Sequence, residues 1–123
     1  MSTRCCVKIV KHFQNAYTEV KLYHHHDGYP EGVGEDLVNR SKNWAKVHPG
    51  DKWDIDDIVN SLIKDSNDEY EYTAYNHVDI EYLYTIDCDD MSIKCNKAHW
   101  RFKTNEKGET DSYSEIGEEV EIP

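Results

Sequence analysis

Thr18-Glu19-Val20-Lys21-Leu22-Tyr23-His24-His25-His26-Asp27-Gly28-Tyr29-Pro30-Glu31-Gly32-Val33 changes its period half-way along. Up to His26 the side chains alternate. Val20, Leu22, His24 and His26 fall on one face and Glu19, Lys21, Tyr23 and His25 on the other, the pattern of a half-buried strand. Asp27-Gly28-Tyr29-Pro30 then ends the strand, Gly28 supplying backbone freedom and Pro30 suiting the first turn of a helix. Val33, Leu37, Ser41, Trp44 and Ala45 recur at helical spacing until His48-Pro49-Gly50 stops the run. Gly32 and Gly34 weaken its first turn, which sets the helix start near Glu35.

The same reading extends outward in both directions. Cys5 to His12 is β-branched and short, and Gln14-Asn15 turns it into the strand above. Downstream, Asp54 is a good helix cap, Asp56 and Asp57 suit the positive end of a helix dipole, and Ile55, Ile58, Val59, Leu62 and Ile63 form one apolar stripe. A polar loop, Asp65 to Asp68, precedes Tyr70 and Tyr72. Val78, Ile80, Tyr82, Tyr84 and Ile86 share one strand face, with Asp79, Glu81, Leu83, Thr85 and Asp87 on the other. Asp89-Asp90 turns the chain into Met91, Ile93 and Cys95, and Trp100 and Phe102 close the core. The expected fold is α+β: an antiparallel sheet of four to five strands, in the order ββααβββ, with two consecutive helices packed on one face. Residues 1–102 form this single domain, and 103–123 are expected to be an acidic, mostly mobile tail.

Leu, Ile, Val and Phe make up just under a fifth of the 123 residues, and the net charge is −11. That is the edge of the composition seen in disordered chains, but nine Tyr and three Trp supply large rings for a thin core. No apolar run reaches the roughly 20 residues that span a bilayer, and no basic-then-apolar export signal opens the chain. A cytoplasmic setting is therefore expected. The four cysteines (Cys5, Cys6, Cys88 and Cys95) lack metal-finger spacing and read as buried thiols.

Charge is unevenly placed. Residues 51–90 carry thirteen acids against two lysines, while residues 1–50 carry seven cations against five acids. A surface this negative repels phosphate backbones, so direct nucleic-acid binding is not expected, whereas a basic protein groove would be attracted. Asp54, Asp56, Asp57, Asp65, Asp68, Glu69, Asp87, Asp89 and Asp90 are the candidate partner-binding carboxylates. An exposed Tyr-rich strand face would suit a second copy of the chain.

The second candidate site is the turn itself: His24, His26, Asp27, Gly28 and Tyr29. If His24 and His26 share a face, Asp27 completes a set for a divalent ion. Alternatively, the turn's amides hold the phosphate of a nucleotide while Tyr29 stacks on its base. Turn chemistry alone also accounts for Asp, Gly and Pro here. No HExxH pattern, CxxC pair or P-loop is present. A hydrolase would have to use His24 or His26 with Asp27, and Cys5 or Cys6 beside them, so catalysis and a cofactor are not expected.

His26-Asp27-Gly28-Tyr29-Pro30-Glu31-Gly32, between a strand and a helix, resembles a signature of small uncharacterised proteins of phages and other mobile elements. The resemblance implies a setting in which small acidic proteins inhibit host defence, as anti-CRISPR proteins do. Some such inhibitors imitate DNA with arrayed carboxylates, and others capture a nucleotide signal. The expected function is therefore inhibition of a host defence protein by DNA mimicry, with ligand capture at His24–Tyr29 as the alternative.

Overall fold

The computed structural model describes residues 3–47, 52–64, 70–75 and 77–123. β1 (Cys5–Phe13) and β2 (Ala16–His24) form a hairpin, and a π-helical turn over Pro30–Gly34 leads into α1 (Glu35–Val47). There follow α2 (Ile55–Lys64), β3 (Tyr70–Thr73), β4 (Tyr82–Asp87), β5 (Ser92–Thr104) and β6 (Thr110–Val120). The strands lie in one sheet in the order β3-β2-β1-β4-β5-β6.

This overturns the expected antiparallel sheet with the order ββααβββ and two consecutive helices on one face. Six strands form a mixed sheet that dominates the molecule, and β1 runs parallel to β4 from Cys5↔Tyr82 to Val10↔Asp87. The reason lies in β1. Cys5, Cys6, Val7, Ile9 and Val10 are all buried, so both faces of this central strand are covered. Such a strand accepts a parallel neighbour delivered by a crossover. Before β4, His77 and Ile80 lie on the side away from the helices, where Ile80 packs with Tyr23 and His77 stacks on it with ring centroids 3.9 Å apart.

Two core clusters result. The larger joins Leu37 and Trp44 of α1 and Ile58, Val59 and Leu62 of α2 to Val7, Ile9, Leu22, Tyr84 and Ile86. Trp44 and Trp53 meet edge-on at 5.2 Å to close it. The smaller holds Cys6, Tyr23, Ile80, Leu83 and Ala98 on the opposite face. Leu83 and Ile80 are thus core residues of the second face, and the expected continuous strand from Val78 begins only at Tyr82. On this face Lys21, Lys8, Thr85 and Lys94 stand opposite one another in a row across four strands.

The segment expected to be a mobile tail contains β6, paired with β5 from Thr104↔Thr110 to Cys95↔Val120. Val120 and Ile122 pack against the larger core, so a few apolar side chains among many acids suffice to dock it. Among the described residues, no helix is long and apolar enough to cross a membrane.

Candidate functional site

Two acidic segments distant in sequence meet at one end of the sheet. At the start of α2, Asp54 Oδ1 accepts the amides of Asp56 (2.8 Å) and Asp57 (3.3 Å), which makes it a helix cap. In the β4–β5 turn, Asp87 Oδ1 accepts the amides of Asp89 (2.9 Å) and Asp90 (3.1 Å). Asp89 Oδ2 accepts the His12 amide at 2.7 Å, and this bond holds the Asp89 carboxyl below its ordinary range.

Buried Cys88, in the second segment, donates its amide to the Val10 carbonyl at 3.0 Å. Burial pushes its thiol up to about 11; Lys11 opposes that rise, while Asp89, Asp87 and Asp54 add to it. Lys11 Nζ in turn donates to the Trp53 carbonyl at 3.2 Å. The result is a carboxylate pole at the ends of β1 and β4, with Lys11 inside it. Asp54, Asp87 and Asp89 each have a backbone to hold, so their presence has a structural cause. Asp56 and Asp90 are exposed and make no such bond among the described residues. Asp65, Asp68 and Glu69 lie outside the described residues.

The histidine turn separates the two rings expected to act together. His24 ends β2 opposite Cys5 and is buried, whereas His26 is exposed beyond the strand, 6.4 Å from it ring to ring. Among the described residues, no three His, Cys, Asp or Glu side chains gather to hold a metal ion. The expected set of His24, His26 and Asp27 is not brought together, because the strand ends before His26.

A phosphate cradle needs free amides, and three amides of this turn are engaged within the chain. The Gly28 amide donates to the Thr3 carbonyl (2.9 Å), Gly32 to Tyr29 (2.9 Å) and Val33 to Asp27 (2.8 Å). Asp27, not Gly28, takes the left-handed conformation, with φ at 51°. Gly28 is required for close approach instead, since a side chain there would meet Cys5 Cβ at 2.9 Å. Tyr29 donates its hydroxyl to Asp27 at 3.2 Å. Burial pushes the Cys5 and Cys6 thiols up, which keeps both protonated and poorly nucleophilic.

What the turn does form is one wall of a cleft of about 220 Å³, lined by His24, Asp27, Gly32, Val33, Asp36, Arg40 and Tyr70. Asp36, Arg40 and Tyr70 were not among the expected site residues. Asp36 and Arg40 are four apart on one helix, a spacing that itself signals an ion pair. Tyr70 joins them only through the pairing of β3 with β2.

Comparisons with protein-family models, with curated proteins and with solved structures give no match. The reading of function therefore rests on this geometry.

Proposed function

We propose that this chain is a small phage-type inhibitor of a host defence protein, acting in the host cytoplasm by placing its carboxylate pole in a basic, nucleic-acid-binding groove. The observation that carries this reading is that residues 10–12 of β1 tie both acidic segments to one end of the sheet: Lys11 donates to the Trp53 carbonyl beside Asp54, Val10 accepts the Cys88 amide, and the His12 amide donates to Asp89. That tie joins the α2 start and the β4–β5 turn, along with exposed Asp56 and Asp90, into one negative end. A net charge of −11 adds long-range attraction for a basic surface. The bonds within the pole fix its carboxylates before any partner arrives, which lowers the ordering cost of binding.

The test is DNA cleavage by a panel of CRISPR effectors and restriction nucleases with the chain added. Inhibition of at least one nuclease is expected, and it should fade as salt rises from about 50 to 200 mM, since exposed charges are screened over a Debye length. Asp56→Asn with Asp90→Asn should weaken inhibition with at most a small fall in melting temperature, because neither side chain caps a backbone and Asp56 acts on α2 only through the helix dipole. Salt-independent inhibition, an unimpaired double variant or an inactive chain across the panel overturns the reading.

A further inference from the structure

The cleft beside the histidine turn sits at the other end of β1 from the carboxylate pole. Its His24 pairs with Cys5, whereas Asp87 of the pole lies beside Val10, five residues or roughly 17 Å along the strand. The cleft and the pole are therefore separate places on the molecule.

Its polar groups come from four elements and are held in place from within. Tyr70 of β3 donates to Asp36 Oδ2 at 3.1 Å, and Arg40 Nε donates to the same oxygen at 2.9 Å. Arg40 also reaches the Ser61 carbonyl of α2 through one terminal nitrogen at 3.0 Å. A guanidinium has five N–H donors. These two bonds leave others for a ligand, as no further protein acceptor for Arg40 appears among the described residues. His24 and Tyr70 are only 5% and 3% exposed, and their rings meet at 4.5 Å to form the floor. Asp27 stands at the mouth, with its backbone fixed by the Val33 amide.

Charge and size narrow the ligand. Two carboxylates, Asp27 and Asp36, face one guanidinium, so a lone phosphate is repelled. A volume of 220 Å³ is below the roughly 300–1,000 Å³ of pockets that take drug-sized molecules, so a nucleotide is too large. What suits the cleft is a small molecule with a cationic donor at one end and an anionic acceptor at the other. We propose that the cleft binds a small zwitterion of amino-acid size, its ammonium on Asp27 and its carboxylate on the free N–H groups of Arg40. The aromatic floor of His24 and Tyr70 then takes the apolar part.

Thermal-shift measurements on the full chain with each of the twenty α-amino acids test this directly. Acetate, methylamine and inorganic phosphate serve as half-ligands. At least one amino acid should raise the melting temperature by about 10 °C at a hundredfold excess over its Kd, and the half-ligands should do far less. Asp27→Asn retains a residue that tolerates left-handed backbone, so it should fold as before yet bind that amino acid at least tenfold more weakly by calorimetric titration. Arg40→Gln should abolish binding. Because Arg40 also bridges the helices, its titration is done well below the variant's melting temperature. No response to any amino acid, an equal response to phosphate or methylamine, or full affinity in Asp27→Asn overturns the proposal.

Discussion

The Tyr84 hydroxyl donates to the Gly28 carbonyl at 2.7 Å, linking a fully buried side chain of β4 to the turn that follows β2. β4 and β2 lie on opposite sides of β1, so this bond reaches across the central strand and fixes the turn against the sheet. Tyr84→Phe keeps the ring and removes only the donor, leaving a buried carbonyl unpaired. The expected loss is about 1–3 kcal/mol in urea unfolding. Loss below about 0.5 kcal/mol would mean that the carbonyl finds another donor.

Gly28 and Gly32 set the path of the same turn. A side chain at Gly28 would press on Cys5 Cβ at 2.9 Å and on the Thr3 carbonyl oxygen at 3.0 Å; one at Gly32 would collide with the Asp27 carbonyl. The Asp27 oxygen cannot yield, because it also accepts the Val33 amide. Both alanine variants should therefore destabilise, Gly32→Ala the more severely. Melting temperatures give the order, and equal values for both variants would contradict it.

Removal of residues 105–123 takes away β6 together with the contacts of Val120 and Ile122 on the core. Those two half-buried side chains are worth about 1.5–3 kcal/mol, and the loss also bares the β5 edge. A clear fall in melting temperature is expected, despite relief of charge repulsion. An unchanged value would show that β6 adds nothing to folding.

Stability should fall in alkali. Burial raises the Cys88 and Cys95 thiols to about 11, whereas in the unfolded chain they titrate near 9. Folded pKa values above unfolded ones mean that the contribution is fully present below about pH 9 and is lost as pH rises toward 11. Tyr84 and Tyr70, raised mainly by burial, extend the loss to higher pH. Melting curves from pH 7 to 11 check the sign, and native thiols should react slowly with an alkylating reagent at pH 8.

Lys8 and Lys21 are direct cross-strand neighbours on the face away from the helices. Like charges so placed destabilise a sheet, and Glu19 at 4.0 Å from Lys8 only partly compensates. Lys21→Glu should raise stability by roughly 0.5 kcal/mol at low salt, and the gain should shrink in 1 M salt. No gain at low salt would imply that the lysines are already screened.

Much of the local structure was legible. The switch of period at His26–Pro30, the Asp54 cap and the apolar stripe from Ile55 to Leu62 are all set by nearest neighbours along the chain. The carboxylate pole was partly legible, because the acids are concentrated between 51 and 90. Its cause was not: Asp54 and Asp87 come to the same end of the sheet only because α2 begins where β4 ends.

By itself, then, the sequence determined periodicity, turns, caps and charge, which depend on residues within a few positions of one another. Tertiary structure alone decided that β4 runs parallel to β1, since alternation in a strand names its faces but not its neighbours. It decided that Val120 and Ile122 dock, because burial of two side chains depends on a surface formed elsewhere. It also decided that His24 looks into a cleft with Tyr70, Asp36 and Arg40 instead of sharing a metal with His26. Contacts across 34 residues, such as Tyr70 to Asp36, carry no periodic trace along the chain.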